Sequence, residues 1–210
     1  NEDKGLPRHN SLILLFDQSC GRIGVAIEAG KVNAYRTAAA DAVGTDILAR
    51  KDALILAIFG TGHQARFECA AIACIRPIAK VLVVGRDPMK ARLMAEELCS
   101  SGLDAEVTDA KNACCEADII VTATPSRSPL FEAQWVKAGT HISAMGADAR
   151  GKHELPVELY STARLFCDLP EQSRLIGEFQ HTHEQITITA LGSVIQGATA
   201  FDSSIKIKFE

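Results

Sequence analysis

Aromatic residues, net positive charge, C-x-x-C cysteine pairs and long apolar runs are all scarce or missing in this sequence, and each shortage excludes something. Aromatics supply 5% of the 210 residues while the apolar share is 47%. The apolar mass is therefore Ala, Val, Ile and Leu, the composition of helices layered on a buried sheet. Lys and Arg number 22 against 26 Asp and Glu, a net charge of -4. The basic residues are scattered and form no stripe, so neither nucleic acid nor an anionic membrane surface is an expected partner. No apolar run has the length of a membrane span, and no signal-peptide pattern opens the sequence. Cysteines stand at 20, 69, 74, 99, 114, 115 and 167. Seven is an odd number without metal-ligand spacing, which points away from a disulfide framework and toward a reducing, cytoplasmic setting. Cys114 and Cys115 read as small buried hydrophobes without a role. An initiating Met is also absent, and a longer parent chain is expected.

What is present is a regular alternation of strand and helix. Residues 11–16 and 23–27 are apolar runs separated by the turn residues Asp17-Gln18-Ser19-Cys20-Gly21, the pattern of a hairpin. Helical spacing of Ala34, Ala38, Ala42 and Leu48 predicts a helix over 32–50. Then follow strands at 54–59, 80–84, 105–107, 118–123, 141–144 and 164–167, with helices at 64–74, 88–100 and 109–116 between the first four. Strands separated by helices pair in parallel through right-handed crossovers, so the fold class is α/β, a doubly wound Rossmann-type sheet. The expected organisation is a partial substrate and dimerisation domain over 1–50, a dinucleotide-binding domain over 51–180, and a segment over 181–210 that returns to the first domain. The apolar tail from Ile186, broken by Gly192 and Gly197, has no assigned structure.

Chemistry concentrates at the strand ends. Gly60-Thr61-Gly62-His63-Gln64-Ala65 closes a predicted strand and opens a predicted helix, the context that gives G-x-G-x-x-G/A its meaning. The first glycine permits the turn, the second lets the backbone approach a pyrophosphate, and Ala65 is small enough for close helix packing. A helix N-terminus then offers free N–H groups to phosphate. After the next strand the sequence reads Val84-Gly85-Arg86-Asp87. Gly85 stands where an acid would hold a ribose 2′-OH, and Arg86 would meet a 2′-phosphate, so NADP(H) is favoured over NAD(H), with Asp87 within reach of the ribose as the counter-argument. Arg86 also reads as a solvated loop charge. Thr122-Ala123-Thr124-Pro125-Ser126 and Met145-Gly146-Ala147-Asp148 end two further strands. By position alone Asp148 reads equally as a proton-transfer group and as a surface-turn carboxylate.

Gly5-Leu6-Pro7, Arg36-Thr37-Ala38-Ala39, the Gly60–Ala65 loop, Gly146-Ala147-Asp148 and Gly151-Lys152-His153-Glu154-Leu155 together resemble the ornithine cyclodeaminase/mu-crystallin family, as does the ending Ile205-Lys206-Ile207-Lys208-Phe209. The resemblance implies that Arg36 grips a substrate carboxylate, that Asp148 serves acid/base chemistry with Lys152 close by, that His63 and Gln64 lie at the pyrophosphate, and that Thr124 and Met145 lie by the cofactor. Without it Arg36 reads as a helix-surface ion-pair residue. The implied activity is NAD(P)H-dependent reduction of a small cyclic imino acid, of the Δ1-pyrroline-2-carboxylate or Δ1-piperideine-2-carboxylate type, in a homodimer. Ornithine cyclodeaminase, alanine dehydrogenase and a non-catalytic mu-crystallin-like binder are the other readings. The sequence departs from the family pattern after Gln180 and in the late run 189–197. His181 and His183 lack a third ligand and are expected to face solvent rather than a metal.

Overall fold

The computed structural model describes residues 11–197 and 207–209, so Gly5-Leu6-Pro7 and Ile205-Lys206 of the family resemblance lie outside the described residues. Its first element is the expected hairpin, β1 (Leu12–Asp17) antiparallel to β2 (Arg22–Glu28). It leads into α1 (Gly30–Leu48), which starts and ends two residues before the predicted span. Apolar runs need cover on both faces, and the central strands of the sheet that follows obtain it. β3 (Ile55–Phe59), β4 (Lys80–Val84), β5 (Ala105–Val107), β6 (Ile119–Thr122), β7 (His141–Ala144), β8 (Arg164–Cys167), β9 (Ile188–Ala190) and β10 (Ile207–Phe209) form one sheet. All its pairings are parallel, in the order β5-β4-β3-β6-β7-β10-β8-β9. Alternation along β3 shows the two layers. Leu56 and Ile58 pack with Ile72 of α2 (His63–Ile75) and Met94 of α3 (Pro88–Ser100), while Ala57 and Phe59 join Leu82, Ile142, Leu165 and Phe179 on the other side.

The strand order reverses between β3 and β6, the switch point at which open α/β sheets form a ligand crevice at the carboxyl ends of their strands. α4 (Ala110–Glu116), α5 (Leu159–Thr162), α6 (Pro170–Ile176), α7 (Leu191–Ile195) and two short 3-10 turns, Ala133–Trp135 and Glu178–His181, complete the described elements. The segment assigned to 181–210 adds β9 and β10 to the Rossmann sheet. It also brings Leu191 and Val194 against Leu48 and Ile47 at the end of α1.

α1 is tied to this framework by a buried guanidinium. Arg76, just past α2, donates to the carbonyls of Thr45, Asp46, Ala49 and Arg50, the acceptors a helix end leaves over. The cysteines follow the sequence reading only in part, because Cys115, read as a buried hydrophobe, is exposed on the outer face of α4 while Cys114 points inward. All seven are free, and Cys114 sits in the core with burial pushing its thiol up to about 12.

Candidate functional site

The crevice is lined by three strand ends. After β3, Gly60 has φ +119°, and a Cβ there would stand 2.5 Å from the Ala123 carbonyl oxygen beyond β6, so only glycine lets these two strand ends meet. Gly62 is different, because a Cβ on it would meet nothing within 4 Å. The space above Gly62 opens outward, and no side chain caps the α2 N-terminus behind it. The first-turn N–H groups and the positive dipole end therefore face open space, the arrangement that receives a pyrophosphate. Arg66 braces the loop from one turn down the helix. Its Nη1 donates to the carbonyls of Thr61 (2.8 Å) and Gly62 (3.0 Å), and its Nε bonds Glu97 of α3.

Within the loop, Ala65 is fully buried against the sheet, as its small side chain implies. Gln64 turns its amide inward to the Ala34 carbonyl (3.2 Å) and Glu68 (2.6 Å), joining α1 to α2. What Gln64 and the exposed His63 offer a phosphate is therefore their backbone, the His63 ring lying against Phe67. Gly85 is a packing requirement as well, since a Cβ there would come within 2.6 Å of the Thr61 methyl and 3.1 Å of Ala91. Arg86 is exposed and takes no hydrogen-bond or ion-pair partner among the described residues. Asp87 is committed elsewhere: its carboxylate accepts from the N–H groups of Met89 and Lys90 and so caps α3.

The ends of β6 and β7 are held by Glu154, a residue to which the sequence reading gave no role. Buried completely, its carboxylate accepts from Thr122 Oγ1 (2.9 Å), Thr124 N (2.8 Å), Thr124 Oγ1 (2.7 Å) and Gly146 N (2.9 Å). Burial raises its pKa, with the hydrogen bonds from Thr124 and Thr122 acting against that shift. Gly146 has no alternative either, as a Cβ would lie 2.2 Å from the Thr124 carbonyl oxygen and 2.6 Å from Glu154 Oε1. Thr124 thus stands at the crevice with its hydroxyl proton given to Glu154.

A second carboxylate supports the first. Glu178 is fully buried and accepts from the N–H groups of Glu154 and Leu155 and from Tyr160 Oη.

Asp148 and Lys152 are brought together as an ion pair. Asp148 also lines a cavity of about 270 Å³ beyond β7, with Met145, Ala147, Asp168, Gln172 and Ile176. Arg36 is not among its lining residues. It is exposed on α1, and both prongs of its guanidinium bond Asn33 Oδ1 at 3.0 and 2.8 Å. No contact among the described residues joins it to Asp148 or Lys152. His181 stacks on His153 with ring centroids 3.9 Å apart, and no cluster of three or more His, Cys, Asp or Glu among the described residues has metal-site geometry. Nor is any described helix long and apolar enough to cross a membrane.

Besides Glu154 and Glu178, the sequence reading missed Asp41 and Glu68, two fully buried acids in the seam between α1 and α2. A signal existed for Glu68, which falls at helical spacing with Ala65, Cys69 and Ile72 on the face of α2 that the sheet covers.

Comparison with known proteins agrees with this geometry. The chain is 38% identical over 202 residues to an iminosuccinate reductase of Paracoccus denitrificans; the match covers 94% of this chain, which spans 63% of that relative's length. Among solved structures, Thermococcus litoralis Δ1-pyrroline-2-carboxylate reductase in complex with NADH and L-proline superposes with a TM-score of 0.91 at 30% identity, covering 99% of this chain and 68% of that one. An archaeal alanine dehydrogenase dimer with bound NAD gives 0.92 at 32% identity, covering 99% and 67%. The model of the ornithine cyclodeaminase/mu-crystallin family matches residues 1–206. With the glycine loop, the Asp148–Lys152 pair and the match over nearly its whole length, the chain belongs to the ornithine cyclodeaminase/mu-crystallin family.

Proposed function

We propose that this chain forms the cofactor-binding part of an NAD(P)H-dependent oxidoreductase that reduces the C=N bond of a small imino acid, a cyclic one in the first instance. The observation that carries the reading is the crevice itself: an open helix N-terminus on one side, and the Asp148–Lys152 pair beside a cavity on the other. The names of the relatives support it.

In this reading Gly60, Thr61, Gly62, His63, Gln64 and Ala65 supply the pyrophosphate turn, with Thr124 and Met145 along the path toward the cavity. A bound reduced nicotinamide supplies hydride to the imine carbon. Asp148 holds or delivers the proton that keeps the C=N nitrogen cationic, and Lys152 keeps the carboxylate oriented. Arg36 would release Asn33 to take the substrate carboxylate in a two-pronged grip.

Two finer points belong to the same proposal. NADH is favoured as cofactor, because the solved relatives carry NAD or NADH. Arg86, without a partner among the described residues, and the commitment of Asp87 to the α3 cap support NADPH, so the two dissociation constants must be compared. A homodimer is supported by the dimeric alanine dehydrogenase and by the hairpin, whose large apolar side chains, Leu12, Phe16 and Ile23 among them, are exposed in the described residues.

The test is NADH and NADPH oxidation by the protein, expressed with its full reading frame, with Δ1-pyrroline-2-carboxylate and with iminosuccinate as substrates. Asp148→Asn should lower turnover by about two to four powers of ten with cofactor affinity intact. Cofactor binding without oxidation of either nucleotide by any imino acid would leave a binder, and release of ammonia from ornithine would make the protein a cyclodeaminase.

A further inference from the structure

Asp148 and Lys152 lie on a loop with no helix or strand of its own beyond a single bridge from His153 to Arg127. Such a loop needs something outside itself to hold a proton-handling pair in register. The short turn Glu178–His181 does this with three side chains. While Glu178 takes the N–H groups of Glu154 and Leu155, Gln180 reaches the centre of the loop. Its Oε1 accepts from the Gly151 N–H at 2.8 Å, and its Nε2 faces the carbonyls of Ala149 and Lys152 at 3.3 Å and of Gly177 at 2.8 Å. His181 Nε2 lies 2.7 Å from the same Lys152 carbonyl. A carbonyl only accepts, so the proton of this imidazole sits on Nε2. The Lys152 backbone is thus held twice, and its Nζ meets Asp148. Gly151, at φ +75°, supplies the left-handed turn at this point of the loop.

We infer that Gln180 and His181 are positioning residues that preset the Asp148–Lys152 pair for proton handling, an inference that rests on the imine-reductase reading above. Neither lines the cavity beside Asp148. They act through the Gly151 amide and the Lys152 carbonyl, fixing the main chain from which both functional side chains project. Displacement of such a pair by an ångström is enough to slow chemistry about a hundredfold while binding elsewhere is untouched.

The experiment compares wild type, Gln180→Ala and Gln180→Glu, since a glutamate keeps the acceptor for Gly151 and loses the donor. One readout is independent of activity: amide hydrogen exchange at Gly151, expected to be about tenfold faster in Gln180→Ala and close to wild type in Gln180→Glu. The other is turnover per NADH-binding site, expected to fall about ten- to hundredfold in Gln180→Ala with the NADH dissociation constant unchanged, and to recover in part in Gln180→Glu. A merely structural role would lower the number of binding sites instead of turnover at each. Unchanged exchange in Gln180→Ala overturns the grip. Faster exchange with full turnover per site overturns the positioning role and leaves imine reduction standing. If wild type oxidises neither NADH nor NADPH when given any imino acid, the functional reading fails and the positioning role falls with it.

Discussion

Helices α2 and α3 are both thirteen residues long and both follow a strand of the same sheet, yet they begin in opposite ways. α3 opens with Asp87 and Pro88, and the Asp87 carboxylate takes two of its free N–H groups. α2 opens with Gly62, which brings no side chain, no cap and no atoms into the space ahead. A helix end left with unsatisfied donors is costly unless water or a ligand meets them. The difference separates a helix closed by its own sequence from one whose first-turn donors stay open, and it supports the proposed pyrophosphate site independently of the glycine spacing.

The comparison can be broken at several points. The largest effect is expected at Gly60, the hinge of the open end. Gly60→Ala must push β3 and β6 apart at a positive φ, and chemical denaturation should show a loss of about 3 kcal/mol or more. Next comes Glu154→Gln, which turns an amide N–H toward a ring of donors in a buried site. A loss of about 2–3 kcal/mol is expected from urea midpoints. Equal stability of wild type and variant would mean that Glu154 does not hold the strand ends.

A pH experiment probes the seam beneath the open helix. Burial, and then the Asp41 carboxylate beside it, push Glu68 up to about 9. The folded state therefore keeps a proton that the unfolded chain loses near the ordinary glutamate value. Stability from this group is complete below about 4.5 and is lost as pH rises toward 9. Urea midpoints taken between these limits should fall with pH, and Glu68→Gln should flatten that slope. The smallest effect is expected at the closed end: Asp87→Ala should cost about 1 kcal/mol, the ordinary worth of a cap.

Much of this was legible in the sequence because it rests on local chemistry. Apolar runs marked β3, β4 and β6, and the glycine loop marked the turn into α2. The short helix α5 was not legible, since four residues carry too little periodicity, and α6 was not read although α4, equally seven residues long, was. Nor were Glu154, Glu178 and Gln180, because their roles depend on backbone groups 8 to 31 residues away in sequence that only the fold brings near. Arg36 shows the opposite limit. Its motif was readable, but what it grips in the described residues is Asn33, not a member of the site.

The most direct test is to give α2 the cap that α3 already has. Gly62 has an ordinary φ of -80° and open space around its Cβ, so Gly62→Asp should fold. Its carboxylate would occupy the first-turn N–H groups and place a negative charge where the pyrophosphate must sit. Fluorescence titration with NADH, alongside thermal unfolding, reads both consequences. The account predicts a dissociation constant raised about a hundredfold or more, equivalent to the loss of two charge-assisted hydrogen bonds, with stability equal to wild type or higher. NADH binding at wild-type strength by a well-folded Gly62→Asp protein would contradict it.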